Sequence, residues 1–452
     1  MSDSAREQSM AHVYISHSPV DLDPLLELHE ALRQAGIAAW YPPSPIAAKD
    51  NALVRAKIDQ AFAMIVLVSA DGLRSEDVQR DVAIAQAQGI KIVPLQLDRA
   101  RMTGSLGAIL GSLVRHHADT DGGQAALIEE LRRLYRARCP VLAVMNLKGG
   151  VGKTTISAQV FGALQAIDQS RVLLVDLDPQ YNLTQVFFDM EDADARAARD
   201  ASVISLFEKS TLHANGVSSP ATDWRSLSRE PFTMPPESNL IHSVLGSDGP
   251  SGRFDIVTGQ FEISKYAFAT DPIGLAAIKT NFLNQIEALR SRYDLIVFDT
   301  NPNATFLTRC ALEAADRVLA PMHPDIYSLR GVRLLSQVIK DQVAGDVAPD
   351  LSVVFNGVQR REQSVFEADA RNGVFDTKAG FALSHALLGT AIPRSGHFLI
   401  REPESDTPQW HQLIVHHGRG GGLKVIRDAL GTVAKDIKKL DDPARSNSQQ
   451  AA

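Results

Sequence analysis

VLAVMNLKGGVGKTTISAQVFGAL, residues 141–164, decides how this chain is read. An apolar run leads into a glycine-rich turn, and the turn opens directly onto a helical pattern. That arrangement turns consecutive backbone N–H groups toward one point and makes a cradle for phosphate. Gly149, Gly150 and Gly152 permit the turn, and the phosphate-binding set runs through Val151, Lys153, Thr154 and Thr155. Lys153 is placed to reach β- and γ-phosphates, and the Thr154 hydroxyl to ligate a Mg²⁺ ion bridging them. The strict phosphate-loop pattern puts a glycine where this chain has Leu147. The variant present is K-G-G-x-G-K-T, with a second lysine, Lys148, ahead of the glycines.

Outward from that loop the chain continues as alternating strands and helices: RVLLVDLD, YDLIVFD, RVLAPM, LSVVFNGV and LLGTAIP, with helical segments between most of them. The repetition predicts a mostly parallel sheet. Between Met190 and Gly274 the breaks SSP, MPPES and SDGPSG predict an insertion of short helices and loops. Upstream, HVYIS, LDPLLELHEALRQAG, AMIVLVS and KIVPLQLD form a second α/β series, again with a parallel sheet. Its last segment, QAALIEELRRLYRAR, sets Leu127, Leu131 and Leu134 near one face and runs into Cys139-Pro140, where the boundary is placed. The expected organisation is a disordered segment at 1–10, one domain over 11–138, a second over 139–440, and a disordered tail from 441 to 452.

Composition sets the limits. At 452 residues, 44% hydrophobic and 22% charged, the chain is globular and long enough for two cores. A net charge of -7 argues against wholesale coating of nucleic acid but leaves room for a local basic patch. Only Cys139 and Cys310 are present, too few for a disulfide framework or a four-thiolate zinc site. With no signal core and no apolar run long enough for a membrane span, the expected location is the cytoplasm.

Carboxylates end two strands of the second series. Asp176 and Asp178 close RVLLVDLD and Asp299 closes YDLIVFD, where a parallel sheet presents its ligand crevice. Together with the lysine-rich loop, these segments resemble the ParA/MinD family of deviant Walker ATPases over most of residues 140–440. The resemblance implies ATP and Mg²⁺ as cofactors. It assigns Asp178 to the attacking water, Asp176 to support of the magnesium site, Asp299 to Mg²⁺ through water, and Asn356 and Pro393 to adenine. It further implies a homodimer in which Lys148 reaches the partner's phosphates. The family's DTPP reads DTNP here, Asn301 standing for the first proline.

The upstream series resembles a Toll/interleukin receptor (TIR) domain from about Ala11 to Arg138, with a flavodoxin-like parallel sheet. Ser16, Asp21 and Ser69 fall on its loop positions. Many TIR domains of microbes and plants cleave NAD⁺ with a helix Glu in the pattern S-x-W-C-x-x-E. A carboxylate there stabilises positive charge developing on the ribose. The register here is Ser75 to Asp81, with Asp77 for Trp, Val78 for Cys and Asp81 for Glu. The acid is one methylene short, and a misplacement of about 1 Å can cost on the order of a hundredfold in rate. Two readings stand: Asp81 supports NAD⁺ cleavage, or the domain is a self-association or docking module. Bacterial TIR fusions resemble anti-phage defence effectors. The competing expectation is a DNA-partition or positioning ATPase whose first domain docks an unknown partner.

In the last helix Ile426, Leu430, Val433, Ile437 and Leu440 form an apolar stripe, with Lys424, Arg427, Lys435 and Lys438 mostly off it. A buried face is expected, and the cations leave nonspecific DNA binding open. The polar C-terminus argues against a membrane-binding helix. His116, His117, His411, His416 and His417 lack metal-site spacing and are read as structural or surface residues.

Overall fold

A computed structural model describes residues 12–35, 37–43, 51–98, 101, 104–118, 122–136, 139–197, 201–209, 227, 235–245, 252–343, 348–359, 363–398, 409–417 and 421–440. The segments 1–10 and 441–452, expected to be disordered, lie outside the described residues. The chain forms two compact units, one of Met1–Arg138 with Glu287–Ser291 and the other of Cys139–Ile286 with Arg292–Ala452.

In the first unit, β1 (His12–Ser16), β2 (Ala39–Trp40), β3 (Ala61–Val68), β4 (Lys91–Gln96) and β5 (His116–His117) make one sheet in the order β2-β1-β3-β4-β5. Every pair is parallel. This is the flavodoxin-like order expected from the strand–helix alternation. Side chains alternate between the faces. Val13, Ile15, Ala63, Ile65 and Leu67 pack with Leu25, Leu28 and Leu32 and with Leu127 and Leu131, while Leu134 is partly buried beside them. Tyr14, Met64, Val66 and Val68 face Val54, Ile58, Val78, Val82 and Ala85. The helix Glu76–Gln88 is capped by Ser75, whose Oγ accepts from Val78 N, and stops at Gly89 in the left-handed region.

The second unit contains β6 (Val141–Val144), β7 (Arg171–Asp176), β8 (His242–Leu245), β9 (Arg253–Val257), β10 (Leu295–Asp299), β11 (Arg317–Met322), β12 (Asp350–Val358) and β13 (Ile392–Pro393). Their order is β13-β12-β11-β6-β10-β7-β9-β8, parallel except for the β8–β9 pair. β6 lies between β10 and β11, so the chain departs to both sides of it. A crevice at the carboxyl ends follows from that reversal. The helix Lys153–Asp168 covers this sheet through Ile156, Val160 and Phe161, and the final helix Gly421–Leu440 packs on it. Ile426, Leu430, Val433 and Ile437 are all buried, as their spacing predicts. The side chain of Leu440 lies outside the described residues.

One expectation needs correction. The stretch from Met190 to Gly274, read as short helices and loops, also supplies β8 and β9, and β9 pairs directly with β7. RFDIV did not read as a strand because Arg253 and Asp255 interrupt its apolar pattern. Asp255 is nevertheless fully buried, where it accepts a hydrogen bond from Tyr293 Oη at 2.8 Å and pairs with Arg253 at 2.8 Å. No helix among the described residues is long and apolar enough to cross a membrane.

Candidate nucleotide-binding site

The loop after β6 carries the predicted phosphate set. Gly150 and Gly152 hold φ at +72° and +89°, a region L side chains rarely adopt. A Cβ at Gly152 would collide with Asn356 Nδ2, whereas Cβ atoms at Gly149 and Gly150 would meet open space. Val151 is buried, and Thr154 and Thr155 sit half-buried in the first turn of the helix Lys153–Asp168. Lys153 is 8% exposed, and its Nζ lies 3.4 Å from Lys148 O. Burial pushes its ammonium below the usual lysine range, while Asp299 and Asp178 pull it back up.

Three carboxylates gather at the strand ends. Asp299 is fully buried, accepting from Thr154 Oγ1 and Ser157 Oγ, each at 2.8 Å. Asp176, also fully buried, accepts from Thr184 N and Thr184 Oγ1 at 2.8 Å. Asp178 accepts from Gln180 N at 2.9 Å and from Asn182 Nδ2 at 3.4 Å. The loop after β9 closes over this group: Gly259 N donates to Thr184 Oγ1 at 2.7 Å, and a Cβ on Gly259 would lie 2.9 Å from Asp176 Cγ. Thr184, Ser157 and Gly259 were not singled out by sequence, because nothing local marks them as neighbours of these acids.

Burial, with Asp178 adding to it, pushes Asp299 up to about 7, against the hydrogen bonds from Thr154 and Ser157. Asp176 is also raised, by burial and by Asp299. The hydroxyl and carboxylate oxygens of Thr154 and Asp299, adjoining a cradle of N–H groups and a buried lysine, fit a hard cation carried by a polyphosphate. A testable consequence follows for the nucleotide-free chain. The folded carboxyl of Asp299 holds its proton to about pH 7, whereas the unfolded one releases it near 3.8. Rising pH therefore favours the unfolded state across that window, and the loss levels off above it. Thermal unfolding from pH 4.5 to 7.5 should show the parent losing stability relative to Asp299→Asn. Parallel curves would reject the raised carboxyl.

Lys148 reaches sideways within its own chain. Its Nζ donates to Ser328 Oγ at 2.9 Å and pairs with Asp325 at 3.3 Å. Asp325 caps the helix Ile326–Gln342 through Ser328 N at 2.7 Å. Asn146 supports the turn: its Oδ1 accepts from Lys148 N at 2.9 Å, and its Nδ2 donates to Pro321 O at 2.7 Å. Pro393 pairs in register with Val358 at the edge of the sheet, and Asn356 turns its amide onto the phosphate loop.

Residues 13–134 match the TIR domain family, and residues 139–353 match an AAA domain family. The chromosome-partitioning ATPase Soj of Thermus thermophilus is 32% identical over 213 residues, which are 47% of this chain and 66% of that protein. The sporulation initiation inhibitor protein Soj of Bacillus subtilis is 26% identical over 206 residues, 44% of this chain and 64% of its own. The match thus spans just under two thirds of each Soj relative. A solved structure of pNOB8 ParA is similar over 68% of this chain and 99% of its own, at 19% identity and a TM-score of 0.48. This chain joins a TIR domain to a ParA/MinD-type AAA domain.

In the TIR domain, Asp81 lies on the buried face of the helix Glu76–Gln88, 3% exposed. Its Oδ2 accepts from Tyr14 Oη and Ser16 Oγ, each at 2.9 Å, and its Oδ1 from Arg80 at 2.9 Å. Burial raises its carboxyl above the usual range, against the bonds from Arg80 and Ser16. Both oxygens are thereby engaged, Oδ2 in holding the helix to β1 and Oδ1 on Arg80 of the same helix. The other predicted positions form a separate tie. Ser69 Oγ donates to Asp21 Oδ2 at 2.8 Å and accepts from Gly72 N at 2.9 Å.

Proposed function

We propose that the AAA domain is an ATP-dependent dimerising switch and that the TIR domain is the module it brings together. The observation that carries this reading is the pair of lysines. Lys153 is buried at the phosphate cradle, while Lys148 is parked on Asp325 and Ser328, close enough to the loop to be released toward a second copy. Bound Mg²⁺ would neutralise charge between the β- and γ-phosphates. Lys153 and the loop N–H groups hold the phosphates, Thr154 and Asp299 supply oxygens to the metal site, and Asp178 orients water toward the γ-phosphorus. Positioning and charge stabilisation of this kind are the main demands of phosphoryl transfer.

The parked lysine makes a direct prediction. Asp325→Asn keeps the helix cap but weakens the ion pair. ATP-dependent association, followed by light scattering, should then occur at lower ATP, by at most about fivefold for a partly exposed pair. An unchanged titration would reject the latch, and ATP-dependent association that survives Lys148→Ala would reject the shared-site dimer.

For the TIR domain, the engagement of both Asp81 oxygens favours self-association or docking over NAD⁺ cleavage. NAD⁺ loss measured with and without ATP tests this, and ATP-triggered consumption would overturn it. The joined domains suit a cytoplasmic anti-phage effector; protection of cells against phage that depends on Lys153 would support that setting. The Soj relatives keep a DNA-partition role open as the second reading. Exposed Lys424, Lys435 and Lys438 would serve it, although Lys438 pairs with Asp168 at 2.6 Å. Salt-dependent retention on nonspecific DNA only with ATP would favour that role.

A further inference from the structure

Side chains at the ends of β11 and β12 reach back to the phosphate loop. His323, one residue past β11, has Nδ1 2.8 Å from Asn356 O and Nε2 3.1 Å from Gly150 O. Asn356 Nδ2 donates to Val151 O at 2.8 Å. The backbone makes room for this arrangement. Gly357 holds φ at +72°, and a Cβ there would lie 2.9 Å from His323 Nδ1.

The carbonyls so held belong to successive peptides of the loop, Gly150–Val151 and Val151–Gly152. In a trans peptide the carbonyl and the following N–H point to opposite sides. Holding the Gly150 carbonyl on His323 aims Val151 N–H away from the end of β11, and holding the Val151 carbonyl on Asn356 aims Gly152 N–H away from the neighbouring β12. Successive N–H groups aimed to one side, beside glycines of positive φ, make an anion-binding nest. Building that nest before the ligand arrives removes an ordering cost from binding.

Resting on the phosphate-site reading above, we infer that His323 and Asn356 form a strap that preorganises the loop for a polyphosphate. They act as positioning residues, and Asn356 serves the phosphates through the loop carbonyl it holds. The ring chemistry sharpens this. A neutral imidazole has one N–H, so two carbonyl partners are satisfied together only when both ring nitrogens are protonated.

Two measurements on the full chain decide the matter. Titration calorimetry with ATP and with inorganic tripolyphosphate compares the parent with His323→Ala and Asn356→Ala, each checked for folding by thermal unfolding. The strap predicts that both ligands weaken by about tenfold in each variant, the scale of one charge-assisted bond or lost preorganisation. Loss confined to ATP in Asn356→Ala would mean contact with the base and overturn the proposal. In nucleotide-free, ¹⁵N-labelled chain, His323 ring resonances, assigned by their disappearance in His323→Gln, should show both nitrogens carrying protons. A bare ring nitrogen would overturn the double donation whether or not the variants fold. A parent that binds neither ligand sinks the phosphate-site reading, and the ring resonances still judge the strap.

Discussion

Replacing Lys153 by alanine is expected to lower ATP turnover on the order of a thousandfold, the scale for removing a preorganised charge from a reacting oxygen, and to abolish ATP-dependent association. The side chain is 8% exposed; burial lowers its ammonium below the usual lysine range, and Asp299 and Asp178 act against that shift. Its one hydrogen bond described in the site is a long one, 3.4 Å to Lys148 O, which leaves donors for phosphate oxygens. Lys148 does not take its place: its Nζ is held on Asp325 and Ser328, and its proposed release sends it to the partner's phosphates. Steady-state phosphate release and light scattering check both halves. Turnover within an order of magnitude of the parent would remove Lys153 from the phosphate site.

Asp81→Ala should damage the TIR domain through its packing rather than through chemistry. The carboxylate gathers Tyr14, Ser16 and Arg80 between β1 and the helix Glu76–Gln88. Removing it strands two buried hydroxyls and part of a guanidinium, at about 2–4 kcal/mol. For a unit of this size that lowers the melting temperature by roughly 10 °C or more. Differential scanning calorimetry should show the TIR transition falling. NAD⁺ consumption should be absent from parent and variant alike. A variant that melts with the parent yet loses a measurable NAD⁺-cleaving activity would restore Asp81 as a catalytic carboxylate.

The legible parts of this protein were those written in consecutive residues. K-G-G-V-G-K-T lies on one turn, and the buried runs of β1, β3, β6, β7, β10, β11 and β12 announce strands by apolarity alone. β5 is two histidines with no strand signal, paired to Leu95 and Gln96. β9 hides behind Asp255, whose burial depends on Tyr293 and Arg253. The burial of Asp81 left a trace that could have been followed: it stands three residues after Val78 and four before Ala85, on the helix face that packs inward. The strap of Gly150, His323 and Asn356 left none, since its members meet only when the sheet assembles.

β6 is central to its sheet yet is the first of that sheet's strands to be synthesised. Thr300 Oγ1 reaches Val144 O across 156 positions, and Asp316 accepts from Val141 N across 175. On the ribosome, β6 therefore waits on the order of ten seconds or more for either neighbour. Its apolar residues have no sheet to enter during that interval, although the complete TIR domain has already emerged. Such distant pairing is slow to form and exposed to aggregation. A nascent chain of this kind places a standing demand on chaperones.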